Sequence, residues 1–247
     1  MLRLIDPGLY TEPARCKAWL RLSREARDKG VSMMVAVKMS MVGAAVCLAI
    51  TGSALAAEGP AASRVKTILA FGDSLTAGHG VPSGDAYPAR LERRLRAEGL
   101  PYRVINAGVS GETTAGGMRR VEWALRSRPD LAIVELGAND GLRGLSVAEM
   151  RANLARIIER FQAAGVTVVL AGMKVPPNYG PEYSRAFSSV FPELAARYRI
   201  PLIPFFLEGV AGHSGLNQPD GLHPTSEGYG VIVDGIWPVL QPLLKPA

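Results

Sequence analysis

The chain has 247 residues, 48% hydrophobic and 20% charged, which suits one well-cored domain plus an extension. Its formal charge of +6 is misleading, because residues 1–56 hold 8 of the 28 Lys+Arg and 4 of the 22 Asp+Glu, leaving +2 on residues 57–247. That balance excludes a basic nucleic-acid-binding stripe. Both cysteines, Cys16 and Cys47, fall in the same leading segment, so the remainder has no disulfide, thiol nucleophile or Cys-based metal site.

Residues 39–57, MSMVGAAVCLAITGSALAA, carry no charge. They follow Lys38 and end in Ala54-Leu55-Ala56. A basic start, an apolar stretch and a small-x-small end make a signal peptide cleaved after Ala56. The product is then periplasmic or secreted, with no stable membrane insertion. An uncleaved anchor is the alternative, since the run approaches spanning length. Gly43, Gly52 and the small-residue end favour processing. Val46 is too large to precede a lipid-acceptor cysteine at Cys47. Residues 1–32 are charged and aperiodic, so translation starting at Met33 or Met34 is expected; a long unstructured n-region is the alternative. The expected organisation is therefore a leader, 1–56, and one domain, 57–247.

From residue 65 apolar and helical patterns alternate. The expected strands are Thr67–Phe71, Arg103–Asn106, Leu131–Leu136, Thr167–Ala171 and Leu202–Pro204. Between and after them, helical spacing appears over residues 86–98, 115–127, 147–163, 182–198 and 225–244. Such alternation implies βαβ units and a parallel sheet covered on both faces. LAIVELG, apolar for most of its length, suits a central, doubly buried strand. Residues 172–181 and 209–224 are rich in Pro and Gly and are expected to be long functional loops.

In open parallel sheets ligands bind beyond the carboxyl ends of the strands. The segments there are GDSLTAG, NAGVSGETT, GANDG and GMKVPPNYG, and the last leads on to DGLHP. Ser74 is either a helix cap or a nucleophile. His223 follows Asp220 by three residues. With a turn between them the carboxylate can reach one ring nitrogen and leave the other free to act as a base, although a plain turn pair is equally open. Asn139 and Gly111 offer an amide and a backbone N–H for an oxyanion, or are ordinary turn residues. Their order at successive strand ends argues for acyl transfer. The glycines after the first strand do not form G-x-G-x-x-G, which argues against a nucleotide site.

GDSLTAG, NAGVSGETT, LGANDGLRG and DGLHP together resemble the four blocks of the SGNH, or GDSL-type, hydrolases over residues 66–244. VELGANDGLRG, PPNYGPEYSRAFSSVFPELA and PLIPFFLEGV are most similar to the bacterial periplasmic subgroup of multifunctional thioesterase, arylesterase and lysophospholipase. The resemblance implies a flavodoxin-like three-layer α/β/α sandwich with about five parallel strands. It implies Ser74 as nucleophile, His223 as base and Asp220 as its orienting partner. The oxyanion hole would be Ser74 N–H, Gly111 N–H and the Asn139 side chain; Gly111 is preferred to Gly108 because the family block reads Ser-Gly-Asp/Glu-Thr. Asp73 would shape the turn beside Ser74 and border the substrate. Pro176 and Tyr179 would line an acyl groove, with packing the alternative for Tyr179. His79 is expected to be a surface loop residue, with substrate contact the alternative, and His213 to be exposed. No cofactor and no metal are implied. The substrate would be a small-molecule ester, thioester or lysophospholipid, and the enzyme a monomer. Carbohydrate O-deacetylation is the alternative activity, and a non-catalytic envelope binding protein the alternative class.

Overall fold

The structure, a computed structural model, describes residues 64–245. The expected signal peptide, start site and cleavage after Ala56 lie outside the described residues. Five parallel strands form one sheet: β1 (Lys66–Gly72), β2 (Tyr102–Gly108), β3 (Leu131–Glu135), β4 (Thr167–Ala171) and β5 (Leu202–Ile203). Their spatial order is β2-β1-β3-β4-β5. The helices are α1 (Ser74–Ala77), α2 (Tyr87–Ala97), α3 (Thr114–Leu125), α4 (Ala138–Leu142), α5 (Val147–Ala163), α6 (Pro181–Tyr198) and α7 (Ser226–Leu240).

The central strands are the apolar ones. All of β3 is buried, and so is β1 after Lys66, because both are paired on two sides and covered on two faces. Edge strand β2 mixes exposed and buried positions. Helices flank both sides of the sheet: α2 packs on β2 and α7, whereas α5 packs between α3 and α6. Helix α5 shows why this sequence is helical there. Ser146 caps it by accepting from the Glu149 N–H at 3.3 Å, and Met150, Leu154, Ile157, Ile158 and Phe161 fall on one buried stripe. Phe161 meets Phe71 of β1 edge to face, with ring centroids 5.4 Å apart. Each such fully buried side chain contributes about 1.5–3 kcal/mol through removal from water.

The five expected strands and five long helices are all present. The last helix ends at Leu240 and passes into a 3₁₀ turn, Gln241–Leu243, where Pro242 has no N–H for an α-helical bond. The short helices α1 and α4 follow β1 and β3. Strand order reverses between these two strands, and such a switch point opens a crevice at their carboxyl ends. Gly72 pairs with Glu135 there, so both strands end level and deliver their following residues to one place. Among the described residues no helix is long and apolar enough to cross a membrane.

Candidate active site

Ser74 is the first residue of α1. Asp73 caps that helix by accepting from the Leu75 N–H at 3.0 Å. Gly78, at φ 82, ends it after one turn and donates its N–H to the Ser74 carbonyl. Gly72 sits where a side chain has no room: a Cβ there would lie 2.1 Å from Thr76 Oγ1 and 2.6 Å from the Glu135 carbonyl oxygen. The Gly72 carbonyl accepts from Val109 N–H at 3.0 Å and from Arg120 Nη2 at 3.1 Å. Arg120 is itself held by Glu112, from Nε at 2.7 and 2.8 Å, and its guanidinium lies 4.0 Å over the Phe71 ring. The strand end carrying Ser74 is therefore clamped from two sides.

His223 arrives from the other end of the chain. Its Nε2 is 2.9 Å from Ser74 Oγ and its Nδ1 is 2.6 Å from Asp220 Oδ2. The carboxylate acceptor places the ring proton on Nδ1 and leaves Nε2 free to accept from the serine hydroxyl. Asp220 Oδ1 also accepts from the N–H groups of Leu222 and His223, at 2.9 and 3.0 Å. These bonds, with the imidazole, hold the Asp220 carboxyl down at about 2. Gln218 builds this loop. Its N–H donates to the His223 carbonyl at 2.7 Å, and its Nε2 donates to the carbonyls of His79 and Pro224 at 2.7 and 2.9 Å. It thus joins the segment after α1 to the segment carrying the imidazole.

Two further groups face the same space. Asn139 lies in the first turn of α4 and donates from Nδ2 to Asp73 Oδ2 at 3.0 Å, leaving its second amide proton free. Gly111, at φ 76, borders the same groove, and its N–H has no protein acceptor among the described residues. Arg143 Nη2 donates to the Gly111 carbonyl at 2.8 Å. Gly108 is placed differently: a Cβ there would lie 2.2 Å from the Ala77 nitrogen, so this glycine permits β2 to pack against α1. Buried Asp140 accepts from Thr114 N–H at 2.8 Å and from Thr114 Oγ1 at 2.6 Å, tying α4 to the start of α3 just beyond Gly111.

Beneath this surface two carboxyl groups meet. Asp73 and Glu135 are both fully buried. Burial pushes Asp73 up to about 6, against the lowering by its bonds from Leu75 and Asn139 and by the nearby His223. Burial likewise pushes Glu135 well above the usual carboxylate range, and the charge of Asp73 adds to the effect.

The site opens into a groove of about 640 Å³ lined by Leu142, Met173, Val175, Pro176, Phe205 and Leu207 among others. Pro176 stands in that lining. Tyr179 does not: its hydroxyl donates to the Leu142 carbonyl at 2.7 Å, so it braces the groove wall from α4. Asp73 lies at the groove floor beneath Ser74. His79 is exposed, as expected, but is no detached surface residue. It lines the groove, with its ring 4.6 Å from that of His223. His213 is exposed, and its carbonyl accepts from the Asn217 amide. Among the described residues no group of three His, Cys, Asp or Glu is placed to hold a metal.

Residues 70–231 match the GDSL-like lipase/acylhydrolase family. The chain belongs to this family. It is 44% identical over 180 residues to esterase TesA of Pseudomonas aeruginosa, an alignment covering 72% of this chain and 90% of that one. It is 36% identical over 185 residues to thioesterase 1/protease 1/lysophospholipase L1 of Escherichia coli K12, covering 74% and 88%. The crystal structure of the psychrotrophic esterase EstA from Pseudoalteromonas, inhibited by monoethylphosphonate, superposes with a TM-score of 0.69 at 37% identity, covering 72% and 98%. Family membership makes the chain a serine ester hydrolase, with the three-layer fold described above.

The two buried or bonded aspartates give opposite pH signatures. Asp73 binds its proton more tightly folded than unfolded. Its stabilising contribution is complete below the ordinary carboxylate range, about 4, and is lost as pH rises through about 6. Asp220 contributes above the ordinary range and loses that contribution as pH falls toward about 2. Urea unfolding of the protein between about pH 4 and pH 7 is therefore expected to contain a loss of stability that Asp73→Asn lacks. Parallel stability curves for the two proteins contradict the assignment.

Proposed function

We propose that the protein hydrolyses carboxylic esters and thioesters of acyl chains by two-step acyl transfer, with Ser74 as nucleophile, His223 as base and Asp220 as its partner. The single observation that carries this reading is the continuous chain Asp220 Oδ2, His223 Nδ1, His223 Nε2, Ser74 Oγ, at 2.6 and 2.9 Å. Ser74 Oγ attacks the carbonyl carbon as its proton passes to Nε2. The oxyanion that forms takes hydrogen bonds from Ser74 N–H, Gly111 N–H and the free amide proton of Asn139. Collapse expels the alcohol or thiol, which takes the proton from Nε2. Water then attacks the acyl-enzyme by the same route and releases the acid. Asp220 keeps the imidazole in the productive tautomer and stabilises its charged form.

The groove supports an acyl-chain substrate. Its aliphatic and aromatic lining, starting beside Ser74, suits an acyl chain better than a sugar. The names of the relatives, esterase and thioesterase/lysophospholipase, agree with small-molecule esters, thioesters and lysophospholipids. The leader supports an exported, periplasmic or secreted product of residues 57–247; N-terminal sequencing of the exported protein is expected to begin at Ala57.

Hydrolysis of p-nitrophenyl esters from acetate to palmitate tests the reading. Medium or long chains are expected to be preferred, and Ser74→Ala is expected to abolish turnover. Asn139→Ala is expected to lower kcat by about a hundred- to a thousandfold. Cleavage confined to acetate would instead favour a deacetylase, and near-normal turnover in Asn139→Ala would remove that residue from the oxyanion hole. A folded protein that cleaves none of these esters would contradict the acyl-chain reading.

A further inference from the structure

Glu135 ends an otherwise apolar strand, touches neither the groove nor the nucleophile, and takes no part in the steps above. It is fully buried and makes no ion pair among the described residues. Oε2 accepts from Thr76 Oγ1 at 2.7 Å and, at a long 3.4 Å, from Asp73 N–H. Oε1 has no hydrogen-bond partner at all. A charged carboxylate left in this state would carry an unsolvated lone pair in a dry interior, at a cost of several kcal/mol.

The surroundings offer no cation. Facing groups are Asp73 from the turn after β1, Tyr87 from α2 and Tyr229 from α7, whose hydroxyl is also without a partner. Arg120, from α3, donates to Glu112 and the Gly72 carbonyl; its Nη1 is buried without a partner, but it makes no ion pair with Glu135. Asp73 differs sharply from Glu135. One of its oxygens accepts from Leu75 N–H and the other from the Asn139 amide, and His223 adds a favourable charge. Asp73 N–H reaches Glu135 Oε2, so the two acids are close enough that a charge on each would oppose the other. The charge is best solvated on Asp73 and the proton is best kept on Glu135. Gly72 is what lets them meet, because a Cβ there would lie 2.6 Å from Glu135 Oε2.

We propose that Glu135 is a proton-bearing positioning residue: its neutral carboxyl group, seated between Thr76 and Asp73, keeps Asp73 a charged acceptor and thereby holds the Asn139 amide aimed at the reacting carbonyl. The proposal rests on the reading of Asn139 as an oxyanion donor. No bond is made or broken at Glu135. It acts by fixing a donor whose strength depends on the negative charge it also touches, in a site where preorganised dipoles supply much of the rate.

Glutamine is the neutral mimic of the protonated acid: its oxygen can still accept from Thr76 and Asp73 N–H, without the charge that opposes Asp73. Glu135→Gln is therefore expected to keep kcat within a few-fold. Glu135→Met has similar length but no oxygen to accept from Thr76 and Asp73 N–H, and is expected to lose roughly ten- to a hundredfold in kcat at little change in KM. Added to Asn139→Ala, the same change is expected to cost almost nothing more, because the donor it positions is already gone. The infrared spectrum of the wild-type protein at neutral pH should show the carbonyl stretch of a buried protonated carboxylic acid, absent in Glu135→Gln. This last measurement stands even if Glu135→Met fails to fold. The proposal is overturned if the acid band is missing, if Glu135→Gln is as damaged as Glu135→Met, or if the Met and Asn139→Ala losses multiply. A failure of the oxyanion reading shows itself separately, as an Asn139→Ala variant of normal turnover.

Discussion

The site depends on the parallel pairing of β1 with β3, ending with Gly72 opposite Glu135. These are the two strands between which sheet order reverses, so the crevice lies between the residues that follow them. Ser74 comes from one strand end and Asn139 from the other, and Asp73 ties them together through the Asn139 amide. The close approach leaves no space for a β-carbon at residue 72. The sheet register thus sets the separation of Ser74 and Asn139, the proposed nucleophile and oxyanion donor, before any loop is considered. The clamp of Val109 and Arg120 on the Gly72 carbonyl, and of Asp140 on Thr114, carries that rigidity into the segment that holds Gly111.

Two carboxylates near Ser74 and His223 sit in opposite environments. Asp220 is half open to solvent and surrounded by donors, so it stays ionised and can support a cationic imidazole. Asp73 is buried beside a second acid, and the upward push of burial is opposed by bonds from Leu75 and Asn139 and by the nearby His223. One carboxylate bonds the His223 imidazole and the other the Asn139 amide, the proposed base and oxyanion donor. The same division appears in the loops. Gln218 links the His79 and His223 segments by carbonyl contacts, while Arg143 reaches the Gly111 carbonyl from the other side of the groove.

Much of this was legible in the sequence, for identifiable reasons. Strands β1 and β3 announce themselves as apolar runs because both faces are covered, and α5 does so because its stripe repeats at helical spacing. Ser74, Asp220 and His223 are visible because their blocks are short and contiguous. The rest is long-range. Gln218 acts over 139 residues on His79, and Arg120 acts over 48 on Gly72, with no local pattern to mark either. Helices α1 and α4 are single turns, below the length at which periodicity can be read. Tyr179 carried an aromatic signal that suits a groove wall equally well from inside or behind, and only its bond to Leu142 separates the two. Glu135 did leave a trace, as the lone acid in LAIVELG, but its meaning depends on the neighbour that register supplies.

The most direct test of this account is the crystal structure of the protein after reaction with an alkyl phosphonate. Phosphorus bonded to Ser74 Oγ is predicted, with one phosphoryl oxygen within hydrogen-bond reach of Ser74 N–H, Gly111 N–H and Asn139 Nδ2, and Asn139 still bonded to Asp73. Phosphorus on another residue, or an Asn139 amide turned away from that oxygen, would contradict it.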